Sequence, residues 1–141
     1  MSRILAVDWG TRRIGLAVSD PTETLARPLP TLLISSPEDA VRGVLDAGRS
    51  EEAQIIVVGL PLNMDGGEGA SVKRARALGT ALEREGFSVV YHDERLTTET
   101  AKEYLLSRGV RRPDKSRLDQ VAALLLLENY LETRSHEEGR A

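Results

Sequence analysis

The sequence predicts one α/β domain, a mixed five-stranded sheet with helices on both faces. Three observations predict it. Extended and helical patterns follow in the order β-β-β-α-β-α-β-α-α, which gives an antiparallel hairpin region and then alternating crossovers. The run Ile55-Ile56-Val57-Val58 is short, wholly apolar and β-branched between helical patterns, as expected of a strand covered on both faces. The chain has 141 residues, 40% of them apolar, which suits a single domain with a real core.

The elements follow in turn. Ile4 to Asp8 reads as a buried strand, Gly10 to Arg13 as a turn, and Ile14 to Asp20 as the paired strand. Pro28 and Pro30 sit beside the next extended run, Thr31 to Ile34, and mark it as an edge strand. Ser36-Pro37-Glu38-Asp39 starts a helix, with Ser as N-cap, Pro at the first helical position and acids in the first turn. Ala40, Val41, Val44 and Leu45 supply its apolar stripe. After the strand Ile55 to Val58 comes a glycine-rich loop, Asp65 to Gly69. Val72, Ala75, Leu78 and Leu82 mark one face of the following helix, which Gly86 stops. Phe87 to Asp93 is a strand, and Ala101, Tyr104 and Leu105 belong to a helix stopped by Gly109. A last helix is expected from Arg117 to Leu131. The domain is taken as residues 1–135, with a polar tail at 136–141 that frays.

Composition excludes several chemistries. There is no cysteine, hence no disulfide, no zinc–thiolate site and no cysteine nucleophile. The longest apolar run, Val121 to Leu127, is too short to span a bilayer, and the N-terminal apolar stretch is too short for a signal peptide. A cytoplasmic protein without membrane contact is expected. Net charge is −3, so any contact with nucleic acid must come from local basic patches.

Three acids stand at element ends. Asp8 closes the first strand, Glu94 closes the strand ending at Asp93, and Asp119 opens the last helix. Each has an ordinary explanation when taken alone. Asp8 fits a solvated hairpin, Glu94 a charged strand end, and Asp119 a capping acid in a first helical turn. Strand alternation puts Val90, His92 and Glu94 on one face, with His92 read as packed or solvent-facing rather than as a ligand. Gly15 admits the close approach of a backbone or a phosphate. Ala122 and Ala123, three and four residues past Asp119, let a sheet edge approach that helix closely. Two carboxylates about 4 Å apart repel by about 4 kcal/mol at an effective dielectric near 20, so three in one crevice need a counter-charge. Carboxylate oxygens without His or Cys favour Mg²⁺ or Mn²⁺, and a pair of such ions suits phosphodiester hydrolysis.

Basic residues flank the acids in sequence. Arg108, Arg111, Arg112, Lys115 and Arg117 form one cluster, Lys73, Arg74 and Arg76 a second, and Arg12 and Arg13 a third. Singly, each is an ordinary solvated face. Together they suit a phosphate backbone. The Asp-x-Gly-Thr hairpin at Asp8 also occurs in two-domain phosphotransferases of the actin and sugar-kinase type, but this chain is too short for two such domains. A non-catalytic RNA-binding factor would keep the basic patches without needing all three acids.

Four segments resemble the YqgF (RuvX-like) nucleases of bacteria, which are related to the RuvC Holliday-junction resolvases. They are Asp8 to Ala17, Val58 to Gly66, Asp93 to Thr98 and Leu118 to Ala123. The resemblance runs from Ile4 to about Leu131, with Trp9 in place of a more ordinary strand-end residue. It implies an RNase H-like fold, a divalent-metal-dependent endonuclease, and metal-binding catalytic acids at Asp8, Glu94 and Asp119. It also implies a structured nucleic acid as partner, either a four-way DNA junction, as in recombination and repair, or precursor 16S rRNA, as in ribosome biogenesis. Paired cuts on a junction would require a homodimer.

Overall fold

Apolar alternation builds the sheet. In the computed structural model, which describes residues 3–9, 12–60, 69–93, 97–112 and 114–137, the strands are β1 (Arg3–Trp9), β2 (Arg13–Ser19), β3 (Ala26–Leu33), β4 (Ala53–Leu60) and β5 (Ser88–Asp93). Their order across the sheet is β3-β2-β1-β4-β5. β1 to β3 form an antiparallel meander, and β4 and β5 add parallel to β1, as the predicted element order requires. The helices are α1 (Pro37–Ser50), α2 (Ala70–Arg84), α3 (Thr97–Ser107) and α4 (Lys115–Glu137).

Each inner strand sends alternate residues to opposite layers. Leu5, Val7, Leu16, Val18, Ile56 and Val58 pack under α1 and α2, against Ala40, Val44, Val72, Ala75, Leu78 and Leu82. Ile4, Ala6, Ala17 and Val57 face α4, against Ala123, Leu126, Leu127 and Leu131. α3 lies outside α4, with Ala101 and Leu105 against Val121 and Ala122. That sandwich between sheet and α3 explains why the middle of α4, Val121 to Leu127, is apolar all round.

The predicted start of α1 is present: the Ser36 hydroxyl accepts from the Asp39 N–H at 3.1 Å, with Pro37 in the first turn. Gly86 and Gly109 follow α2 and α3 with φ of +100° and +84°, where a glycine is needed. Other strand ends shift by one or two residues, and three further boundaries differ from expectation. β3 begins at Ala26, so Pro28 and Pro30 lie inside it; it is an edge strand, where the missing N–H groups cost no ladder bond. α4 begins at Lys115, two residues earlier than the sequence suggests. It also continues to Glu137 past the polar Thr133, helped by the ion pair of Arg134 with Glu23 at 2.8 Å, which ties its end to the β2–β3 turn.

Candidate functional site

Asp8 lies two residues beyond Ala6, so alternation brings it out on the α4 side at the C-terminal end of β1. Its partner across the ladder is Gly15. Such paired Cα atoms are about 4.5–5.5 Å apart. The backbone of Asp119 fills the space above Gly15: a β-carbon there would lie 2.1 Å from the Asp119 carbonyl oxygen and 3.2 Å from its Cβ. The glycine therefore admits a backbone, and that backbone sets Asp119 over the ladder partner of Asp8. Two of the three acids predicted from sequence thus both neighbour Gly15.

Asp119 is not a capping acid. α4 starts four residues before it, which puts Asp119 in the second turn. Asp114 caps the helix instead, its Oδ1 accepting from the Arg117 N–H at 2.8 Å and its carbonyl from the Leu118 N–H at 3.1 Å. The Asp119 carboxylate is held by Arg13, whose Nε donates to Oδ2 at 2.8 Å. Both side chains are partly buried, with 30% and 25% of their surface exposed. Beside them, Gln120 donates through Nε2 to the Leu29 carbonyl at 2.9 Å and fixes the start of α4 on β3. Neither the Arg13 nor the Gln120 bond is visible in sequence, because each joins residues about 90 or more positions apart.

Ala122 and Ala123 divide their work rather than sharing the sheet. Ala123 packs on it, whereas Ala122 faces α3. The close approach expected of both alanines is made by Gly15 from the strand side.

Glu94 lies outside the described residues. The strand leading to it is described as far as Asp93, which pairs with Leu60 at the end of β4. Because β1, β4 and β5 are parallel, their C-terminal ends share one edge of the sheet. His92 is packed against α4, with Nε2 2.6 Å from Asn129 Oδ1 and its ring edge-on to Tyr130. On the opposite face Tyr91 lies across α2, and a β-carbon on Gly79 would meet its hydroxyl at 2.1 Å. Among the described residues, no group of three or more His, Cys, Asp or Glu gathers as a metal cage.

The basic residues are placed as follows. Arg12, Lys73, Arg74, Arg76, Arg108, Arg111, Arg112, Lys115 and Arg117 are exposed, and Arg13 is half-buried. α2 follows the C-terminal end of β4, so its first turns, with Lys73, Arg74 and Arg76, start at the same edge as Asp8. Arg76 also stacks over the Tyr91 ring at 5.2 Å. Arg111 and Arg112 precede α4, whose second turn carries Asp119, and Lys115 and Arg117 lie in its first. Arg108 is committed to the end of α3, 3.6 Å over the Tyr104 ring and donating to the Tyr104 carbonyl at 3.4 Å. No described helix is long and apolar enough to cross a membrane.

Known proteins are similar to this chain in sequence and in fold. Residues 2–133 match the family described as "RuvX: Holliday junction resolvase". A protein of Lactobacillus delbrueckii subsp. bulgaricus named "Putative pre-16S rRNA nuclease" is 40% identical over 141 residues, covering 96% of this chain and 99% of its own. A protein of the same name from Lactococcus lactis subsp. lactis is 39% identical over 139 residues, covering 95% of this chain and 96% of its own. In fold, the chain superposes on T. thermophilus RuvC, solved with a Holliday junction substrate, with a TM-score of 0.63 at 18% identity, covering 96% of this chain and 97% of that one. The fowlpox virus resolvase, solved with Holliday junction DNA, follows with a TM-score of 0.59 at 12% identity, covering 94% and 98%. The five-stranded sheet with its helices is thus the RNase H-like fold of RuvC.

Proposed function

The chain belongs to the RuvX family, and from that premise we propose that it is a cytoplasmic endonuclease that hydrolyses phosphodiester bonds in structured nucleic acid with Mg²⁺ or Mn²⁺. The observation that supports this reading is the seat of the Asp119 backbone on Gly15, the residue paired with Asp8 across the ladder at the end of β1. Oxygen donors on two rigid elements, one already needing a cationic partner, fit a hard divalent cation. Asp8 and Asp119 would hold it, with Glu94, the residue after Asp93 in sequence, as the third acid. Once bound, such a cation would supply Lewis acidity and water activation.

The chain's own residues bind and orient. Arg12, Arg111, Arg112, Lys115 and Arg117 on one side, and Lys73, Arg74 and Arg76 on the other, take up backbone phosphates and fix register without reading bases. With one Trp, one Phe and three Tyr, the chain has few platforms for unpaired bases, which favours recognition of shape over sequence. The names of the relatives support precursor 16S rRNA as the cellular substrate, and the family description supports the four-way junction as a substrate in vitro. Paired cuts on the junction require two sites related by a two-fold axis, hence a dimer on that substrate.

A cleavage panel tests the reading. A four-way junction, duplex DNA and a precursor rRNA leader are each incubated with pure protein and Mg²⁺ or Mn²⁺. Cleavage of the leader or the junction, abolished by chelation, is expected. Binding without cleavage of any of them would leave a non-catalytic RNA-binding factor instead.

A further inference from the structure

We propose that Arg13 is a resident counter-ion that a divalent cation displaces from Asp119, so that loading the cation releases the Arg13 guanidinium to substrate phosphate. The inference rests on the assignment of Asp119 to the metal, and goes beyond it by giving Arg13 a role that depends on the metal.

Three features of the pair point to it. The contact is a short charged bond, Nε to Oδ2 at 2.8 Å, on the very carboxylate that the cation needs. The two partners differ in freedom. Asp119 is fixed by backbone packing on Gly15, and its neighbour Gln120 is anchored to Leu29, so the carboxylate stays in place. Arg13 opens β2 at its N-terminal end and is 30% exposed, so its long side chain is the member that can swing to solvent. Finally, the charges conflict. A divalent ion against Asp119 meets a guanidinium at hydrogen-bond distance from the same carboxylate, and the two cations repel. The freed fork is suited to a phosphate, which it can bind through two nitrogens.

The sign distinguishes this role from simple positioning. If Arg13 only held the Asp119 rotamer, its loss would weaken cation binding. If it competes, its loss strengthens cation binding. Linkage adds a second consequence: a cation that releases Arg13 raises affinity for nucleic acid, and nucleic acid raises affinity for the cation by the same factor.

Mn²⁺ alone is titrated into the full chain without nucleic acid, and free ion is counted by its paramagnetic resonance signal. Arg13→Ala and Arg13→Gln are expected to bind Mn²⁺ about fivefold more tightly, on the scale of a partly exposed ion pair. Arg13→Lys keeps the charge and should stay near wild type. In parallel, fluorescence anisotropy of a labelled four-way junction is compared with Ca²⁺ and with chelator. Wild type should gain affinity with Ca²⁺, and Arg13→Ala should lose most of that gain. Circular dichroism confirms that each variant is folded, and two neutral variants guard against one being misfolded. Equal or weaker Mn²⁺ binding by both neutral variants would overturn the proposal. If Asp8→Asn and Asp119→Asn abolish Mn²⁺ binding while the Arg13 variants do not strengthen it, only the counter-ion role fails. If the acid variants leave Mn²⁺ binding intact, the metal assignment fails and the counter-ion role with it.

Discussion

The carbonyl oxygen of Asp119 occupies the space where residue 15 would carry a side chain, 2.1 Å from the position of its β-carbon. This contact joins the hairpin to the long helix across more than 100 residues of sequence, and Asp8 stands directly across the ladder from it. Gly15→Ala must therefore push backbone against backbone. The substitution should destabilise the fold by about 2 kcal/mol, as overpacking of a close contact does. It should also cut cleavage more than the lost stability explains, because the start of α4 moves away from Asp8. Urea unfolding and cleavage rates on the same samples measure both effects. Wild-type stability in Gly15→Ala would mean that the two elements are not pressed together.

Gly79 offers a control away from the acids. A β-carbon there would meet the Tyr91 hydroxyl at 2.1 Å and its ring carbons at 2.8 and 3.0 Å. Gly79→Ala alone should cost about 1–2 kcal/mol. In a Tyr91→Ala background the clash is gone, and the same change should stabilise by up to about 1 kcal/mol through helix propensity. Denaturant midpoints of the four proteins close the cycle. The same sign in both backgrounds would contradict the packing described for Tyr91 on α2.

Arg111 and Arg112 are exposed just before α4. If they contact phosphates, Arg111→Ala with Arg112→Ala should weaken binding to all sequences alike. The slope of log affinity against log salt should shrink by about 0.9 for each lost contact on duplex DNA. Binding isotherms at several salt concentrations check this, and an unchanged slope would turn this loop away from nucleic acid.

Much of the fold was legible because strand alternation and helical stripes are local. Leu5 and Val7 against Ile4 and Ala6, or Val72, Ala75, Leu78 and Leu82 on one helix face, follow directly from period and spacing. Pro28 and Pro30 misled about where β3 begins, since proline excludes central strands but not edges. The start of α4 was misplaced because Asp119 resembles a capping acid, while the residue that caps, Asp114, sits within a basic stretch. Gly15 was readable as a point of close approach, but what approaches it was not. The partner of Arg13 was hidden for the same reason: tertiary contacts between distant residues leave no periodic trace. The third acid, Glu94, remains a matter of sequence and resemblance, since it lies outside the described residues.

The acid site is the central claim, and Asp119→Asn tests it most directly. The substitution keeps the size and shape of the side chain and removes the charge that a hard cation needs. Cleavage of the precursor rRNA leader and of the four-way junction is measured with Mg²⁺ and with Mn²⁺, beside Asp8→Asn and Glu94→Gln, on protein shown to be folded. Each variant should lose cleavage by orders of magnitude while binding is kept or slightly tightened, because negative charge near phosphate is gone. Full cleavage by folded Asp119→Asn would contradict the site.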